Sequence, residues 1–266
     1  MYRSCLLINV GTNPDRPRPA RWWLRNRYRV HQRLCMGFPS RERTETDAQF
    51  LKPWDPRDFP EQRHLADKPG GEVAPDVLRQ VHAQRDERSG FLFRIDPRPG
   101  RSPVILVQSA GKPDWDYAFH NARHMLRCFD VRSFSPAYAG ADMLRFRLLA
   151  NPTKRLRADS IGPDGGPIEK QWVGKRVPVA TEMLEEWLSR RGERGGFRVQ
   201  GLTTVEPAWA YMNKTRDRGK GQRLRSVRYE GVLEVADSAR FEEAVVEGIG
   251  PAKAFGFGLL SVAPLR

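Results

Sequence analysis

Two successive passes of strand, helix, hairpin, helix and strand predict an α+β chain of two tandem ferredoxin-like domains, each a βαββαβ, RRM-like unit. The length of 266 residues suits roughly two domains. With 39% hydrophobic residues, each half has enough apolar surface to bury a core, which excludes wholesale disorder. The boundary falls between Ser135 and Ala141, giving a first domain over residues 1–138 and a second over 139–266. The halves share topology and no detectable sequence identity.

In the first half, Tyr2 to Val10 is rich in β-compatible apolar residues and reads as a strand. Gly11 to Ala20 holds three prolines and reads as a loop. Asn26 caps a helix from about Arg27 to Met36, and Gly37 stops it. On that helix Val30 and Leu34 face the core, while Tyr28 and His31, three apart, share a neighbouring face. Arg29 and Arg33 fall on the solvent side. Residues 41–88 are dense in charge and proline, with Trp54 and Phe59 as isolated aromatics, and read as an inserted surface excursion. Phe91 to Ile95 and Val104 to Gln108, joined by DPRPGR, form a hairpin. A helical segment at Asp116 to Leu126 and an edge strand at Cys128 to Arg132 complete the order.

The second half repeats it. Met143 to Ala150 alternates and ends at Asn151-Pro152. A basic, glycine-rich excursion follows through Gly174-Lys175-Arg176. Thr181 to Arg191 is a helix whose stripe is Met183, Leu184, Trp187 and Leu188, closed by Gly192. Phe197 to Met212 and Arg223 to Val235 are long strands joined by Asn213 to Gln222. Asp237 or Ser238 caps the last helix, and a glycine-rich loop leads into a strand at Leu259 to Val262.

Charge narrows the function. Lys and Arg number 46 against 32 Asp and Glu, a formal net charge of +14. Such a field favours a polyanion, and Arg outnumbers Lys, which suits bidentate phosphate contacts. Nucleic acid ranks first and an anionic membrane surface second. No run approaches the about 18 apolar residues of a membrane span, and the start lacks a signal peptide's apolar run and cleavage-like site. The three cysteines, Cys5, Cys35 and Cys128, have no paired spacing, as in a reduced cytosolic protein without structural zinc.

No Walker loop, HExxH or CxxC is present. His120 and His124 are four apart but have no acidic or cysteine partner nearby, and read as ordinary surface histidines. Tyr28 and His31 admit two readings, packing or proton transfer, since histidine exchanges a proton near neutrality. Lys214, Arg216, Arg218, Lys220, Arg223 and Arg225 crowd one hairpin connection, where an opposing anion would relieve their repulsion. The loop Gly248 to Gly258 also admits two readings, a tight turn after a helix C-cap or a phosphate cradle aided by Lys253. It is no dinucleotide fingerprint, because its glycines follow a helix instead of preceding one.

Several of these signals together resemble one family. Gly248-Ile-Gly-Pro-Ala-Lys253-Ala-Phe-Gly-Phe-Gly-Leu-Leu-Ser-Val-Ala-Pro264 is similar to the signature of the CasE repeat-RNA endoribonucleases of type I-E CRISPR systems. So is Tyr28-Arg-Val-His31-Gln-Arg-Leu followed by Phe38-Pro39. Phe91-Leu-Phe-Arg94, Leu106-Val-Gln108-Ser109, Phe146-Arg-Leu, Ala150-Asn-Pro152-Thr-Lys154, Gly174-Lys-Arg-Val177 and Tyr229-Glu-Gly-Val-Leu233 fall in the family's order. The resemblance spans nearly the whole chain outside Arg41 to Arg88.

The resemblance implies a cytoplasmic, metal-independent enzyme without cofactors that binds the CRISPR repeat stem-loop. It cuts precursor crRNA once per repeat, by attack of a ribose 2′-OH on the adjacent phosphate, leaving a 2′,3′-cyclic phosphate and a 5′-OH. It then stays on the mature crRNA beside the other type I-E Cascade subunits, away from membranes. His31 matches the catalytic histidine, as acid on the 5′-oxygen or base on the 2′-OH, and Tyr28 matches its partner. The implied RNA contacts are Arg27 and Arg33 near the catalytic pair, Lys154, Arg155, Lys175 and Arg176 along the RNA path, the basic hairpin, and Gly250, Lys253 and Gly256 in the loop. Two features depart from the pattern: the length of the excursion, and Cys35 and Met36 where some relatives carry a cation, for which Arg33 or Lys253 would substitute. The rival readings are a non-catalytic RNA-binding subunit of a ribonucleoprotein and a metal-dependent nuclease. Charge reversal at Arg216, Arg218 and Lys220 is expected to weaken RNA affinity and flatten its dependence on salt. An unaltered slope in a salt titration excludes the hairpin from the interface.

Overall fold

The structure, a computed structural model, describes residues 1–11, 19–38, 90–161, 166–212 and 222–265. The excursion at 41–88 and the hairpin cations Lys214, Arg216, Arg218 and Lys220 lie outside the described residues. The chain divides into two units. The first is Met1–Ser135 with Tyr211–Gln222 and Ala254–Gly256; the second is Pro136–Ala210, Arg223–Lys253 and Phe257–Arg266.

The first unit runs β1 (Tyr2–Ile8), α1 (Pro19–Arg25), α2 (Arg27–Cys35), β2 (Phe91–Asp96), β3 (Val104–Ser109), α3 (Trp115–Ala118), a 3-10 turn (His120–Met125) and β4 (Leu126–Ser133). Its sheet has the order β2-β3-β1-β4 with antiparallel neighbours. Ser4, Leu6 and Ile8 alternate inward on β1, and a one-residue slip would turn them to solvent. Leu6 and Ile8 join Trp23, Val30, Leu34, Phe93, Ile105 and Phe119 in one buried cluster.

The helices of this unit depart from the sequence reading in three places. The proline-rich loop ends earlier than expected, because Pro19 opens α1. Proline suits a first helical position, where its fixed φ is already helical and no N–H is missed. The segment at Asp116 to Leu126 is α3 plus a 3-10 turn, kinked at Ala122 (φ −138°). Arg33 is buried, 2% exposed, instead of facing solvent. Its guanidinium donates to the Ala118 carbonyl at 3.0 Å and lies 5.9 Å over the Phe119 ring. Arg33 therefore ties α2 to α3, and its expected RNA contact is withdrawn. α2 ends at Cys35, capped by Met36, just before Gly37 as expected, and a Cβ on Gly37 would lie 2.5 Å from the Trp115 ring.

The second unit runs β5 (Met143–Ala150), β6 (Thr153–Arg155), β7 (Arg176–Pro178), α4 (Leu184–Arg194), β8 (Phe197–Met212), β9 (Gln222–Val235), α5 (Ser238–Glu247) and β10 (Leu260–Pro264), with the hairpin-end residues Tyr211, Met212 and Gln222 of β8 and β9 counted in the first unit. Its main sheet has the order β10-β5-β9-β8. Both main sheets thus place the first and third strands of the motif at the centre, as a ferredoxin-like βαββαβ requires. β5 alternates with Leu144, Phe146, Leu148 and Ala150 buried. The excursion after Pro152 contains an unforeseen two-stranded ribbon of β6 and β7.

α4 runs past Gly192 to Arg194, because a side chain at Gly192 would meet the Phe197 carbonyl at 2.7 Å; the glycine serves packing instead of ending the helix. Met183 precedes the helix and is 44% exposed, outside the buried stripe of Leu184, Trp187 and Leu188. Trp187 stacks with Tyr229 of β9 at 6.3 Å, and the Tyr229 hydroxyl donates to the Leu184 carbonyl at 3.1 Å. Burial raises the Tyr229 pKa, so the phenol remains a donor. Asp237 caps α5 through the Arg240 N–H at 3.1 Å.

β8 and β9 approach closely at two glycines. A Cβ on Gly231 would lie 2.0 Å from the Gly201 carbonyl oxygen, whereas one on Gly201 would meet open space. Gly231→Ala is expected to destabilise the protein by roughly 1–3 kcal/mol, the usual range for overpacking. Gly201→Ala is expected to stay within about 0.5 kcal/mol; chemical denaturation of the two variants checks the contrast.

Candidate active site

The candidate site forms on α2. Asn26 accepts the Tyr28 N–H at 3.2 Å, satisfying an otherwise unbonded N–H of the first turn. This cap sets the turn that carries Arg27, Tyr28 and His31. Val30 and Leu34, both fully buried, hold the helix down.

His31 is half-buried over an aromatic floor from β2. Its ring lies 5.4 Å from Phe91 and 6.3 Å from Phe93 between centroids, nearly parallel to Phe93 at 18°. One helical turn on, the Cys35 sulfur is 3.6 Å from His31 Nε2, within reach of a thiol–imidazole hydrogen bond. Cys35, a departure from the family pattern, is thus a neighbour of the His31 ring.

The glycine-rich loop contributes to the same unit. Ala254–Gly256 belongs to the first unit, with the flanking Lys253 and Phe257 in the second. Arg27 donates to the Phe255 carbonyl at 3.2 Å, and the Tyr28 and Phe255 rings lie 6.4 Å apart. Burial lowers the Arg27 pKa to about 10, so the guanidinium still carries its charge at neutral pH. Gly256 has φ +78°, and a Cβ there would meet Phe93 at 2.8 Å and the Arg27 guanidinium at 3.0 Å. The loop tip therefore fits only as glycine.

The remainder of the loop is tied to its own unit. The Gly248 N–H closes α5 on Ala244, the Ile249 N–H donates to Gly258, and the Gly258 N–H donates to Leu149. Gly250 lies against Trp187, and Lys253 is half-buried at the start of a 3-10 turn. The C-cap reading of Gly248 holds.

Other predicted cations gather in the second unit. Lys154 and Arg155 are exposed on β6, and Arg155 pairs in register with Arg176 of β7. The Lys175 ammonium lies 4.4 Å over the exposed Trp172 ring. Lys154 and Arg155 also line a concavity of about 230 Å³ with Arg190, Arg191 and Arg194 of α4. Glu186 offsets one of these through an ion pair with Arg190. Burial, then repulsion from Arg194 and Arg176, lowers the Arg191 pKa. On β8 and β9, Arg223 and Arg225 lie 4.6 and 5.5 Å over Trp209, which is 42% exposed.

The sequence reading passed over Trp209 and the α4 arginines. Strict alternation of exposed Trp209 and Tyr211 with buried Ala210 and Met212 was the available signal, as was the spacing of Arg190 and Arg194 by one helical turn. Exposed aromatics among arginines suit stacked bases and a phosphate backbone.

Comparison with known proteins agrees with the motif reading. The family model described as CRISPR associated protein matches residues 75–264. The CRISPR-associated endoribonuclease Cse3 of Thermus thermophilus is 36% identical over 193 residues, 68% of this chain and 83% of the relative. The chain belongs to the CasE family of CRISPR-associated proteins. The Cascade subunit CasE of Escherichia coli K12 is 28% identical over 249 residues, 92% of this chain and 96% of the relative. A solved structure of Cse3 bound to a 19-nucleotide RNA superposes with a TM-score of 0.66 at 29% identity, covering 99% of this chain and 100% of that one. Among the described residues of this CasE-family chain, no helix is long and apolar enough to cross a membrane.

Gly256→Ala is expected to destabilise the protein by about 1–3 kcal/mol through its positive φ and the Phe93 contact. The same substitution is expected to shift the His31 ring resonances in an NMR spectrum. Unchanged His31 signals sever the loop tip from the histidine.

Proposed function

We propose that this protein is the crRNA-processing endoribonuclease of a type I-E Cascade system, with His31 and Tyr28 at the reacting phosphate. It binds the repeat stem-loop, cuts the precursor once per repeat and remains with the mature crRNA and its Cascade partners in the cytoplasm. The observation that carries the chemistry is the grouping of Arg27, Tyr28 and His31 on one capped helix, in a chain related to a named endoribonuclease.

The reaction needs a ribose 2′-OH in line with the adjacent phosphorus and a proton for the departing 5′-oxygen. As the O2′–P bond forms, the 2′-OH proton passes to solvent water, and the P–O5′ bond breaks as O5′ takes a proton, leaving a 2′,3′-cyclic phosphate and a 5′-OH. We assign His31 the acid role, because the departing alkoxide has the greater need of a proton. Proton transfer of this kind is worth about 10²–10⁴ in rate. Tyr28, one turn earlier, orients the phosphate through its hydroxyl. Arg27, desolvated and still cationic, offsets charge on the equatorial oxygens, where a buried donor acts more strongly than in water. Holding the 2′-OH in line supplies the rest, since effective molarities reach about 10⁵ M or more. Product retention suits such an enzyme, which needs one turnover per repeat.

Purified protein is expected to cut its own repeat RNA in EDTA. His31→Ala is expected to slow single-turnover cutting by about 10²–10⁴ while the RNA Kd changes little. Unchanged cutting by His31→Ala removes the mechanism, a strict magnesium requirement favours a metal-dependent nuclease, and binding without cutting leaves an RNA-binding subunit.

A further inference from the structure

A second basic concavity lies in the first unit, apart from every residue considered so far. Its volume is about 480 Å³. Arg21 comes from α1, Arg98 and Arg101 from the turn between β2 and β3, and Arg127 from β4, with Leu7 and Val10 beneath them. Among the described residues no acidic side chain lines it, and two carboxylates of β2 and β4 are engaged elsewhere. Asp96 holds Arg94 through two hydrogen bonds at 2.7 and 2.9 Å, and Asp130 holds Arg132 at 2.6 Å. Among the described residues, none of the four lining arginines has a side-chain hydrogen bond or ion pair. Four guanidinium groups drawn from three parts of the fold repel one another until an anion enters.

The position sets what kind of anion. His31 lies over Phe91 and Phe93, where β2 begins, whereas the arginines cluster beyond Asp96, where it ends. The five-residue step from Phe91 to Asp96 spans roughly 17 Å of strand. A ligand in the concavity is therefore too far from His31 to be the reacting phosphate. A single-stranded chain continuing from the cut site can reach it. Among the described residues the lining has no aromatic ring to stack a base, so they read phosphate and not sequence. Arginine, with its planar fork, suits that ligand better than lysine.

We propose that Arg21, Arg98, Arg101 and Arg127 form a phosphate-binding subsite for the single-stranded RNA that flanks the repeat stem-loop. The proposal rests on the RNA-processing reading for its substrate, and its test separates the two. Three RNAs are titrated by fluorescence anisotropy across a salt series: the repeat stem-loop alone, the stem-loop with single-stranded flanks, and a stemless single-stranded oligonucleotide. The wild type should bind the flanked RNA more tightly than the bare stem-loop.

In the variant carrying Arg98→Gln, Arg101→Gln and Arg127→Gln, the advantage of the flanks should vanish. The slope of log affinity against log salt should fall by about 2, as expected for three single-strand phosphate contacts at roughly 0.7 each. Affinity for the bare stem-loop and its cutting should stay at wild-type values. All three positions are exposed, and an unchanged circular dichroism spectrum confirms the fold. An advantage that survives in the variant, or is absent from the wild type, overturns the subsite. So does polyglutamate competing as well as RNA, which reassigns the surface to an acidic protein. If the stem-loop is neither bound nor cut, the processing reading fails. Loss of stemless-RNA binding in the variant still upholds the subsite in that case.

Discussion

The Phe93 ring is the constraint on which the site depends. It belongs to the buried cluster of the first unit, stacks with the His31 ring, and leaves no space for a Cβ at Gly256. Moving it would disturb the sheet core, the histidine and the loop tip together. Close packing turns such a shared contact into a positional lock, because neighbours cannot shift independently. The loop tip is fixed again by Arg27, whose guanidinium reaches the Phe255 carbonyl. Steric exclusion at Gly256 and a hydrogen bond at Phe255 thus hold three residues of the C-terminal loop against the helix of Tyr28 and His31.

Charge follows a similar economy. Acids on the sheets are placed against particular arginines: Asp96 with Arg94, Asp130 with Arg132, Glu230 with Arg147, and Glu206 with Arg228. These pairs quiet the sheet surfaces and leave other cations to converge elsewhere. Five of those cations line the concavity between β6 and α4, and four more line the one at the β2–β3 turn. Among the described residues, these nine cations are gathered into two concave patches, where low-dielectric walls focus the field on a polyanion.

The fold class was legible because strand and helix periods were intact. The alternation of β5 and the capped stripe of α2 had one sensible reading each, and the order of elements did the rest. Misreadings came where one residue type serves two purposes. Pro19 was grouped with the loop prolines although a first-turn proline favours a helix. Gly192 was read as a helix stop although it makes room for Phe197. Arg33 was assigned to solvent by its charge, whereas its long side chain reaches a carbonyl and an aromatic face inside the unit. Of the site, Tyr28 and His31 could be picked out by motif. The Phe91–Phe93 floor and the Gly256 contacts could not, since they join residues 60 to 229 positions apart, and no local pattern encodes such pairs.

Cys35 bears on how the proposed acid keeps its proton. A lysine or arginine one turn after His31 would set a cation beside the imidazole and disfavour the imidazolium form. The Cys35 sulfur, 3.6 Å from His31 Nε2, adds no positive charge and can accept a weak hydrogen bond from a protonated ring. A neutral neighbour suits a histidine that must hold a proton until the 5′-oxygen departs. In the proposed mechanism the task of offsetting phosphate charge then passes to Arg27, which burial leaves with a pKa of about 10 and hence cationic through the neutral range. The Phe255 carbonyl fixes that guanidinium, so the glycine-rich loop also positions the cation one turn before His31 on the same helix.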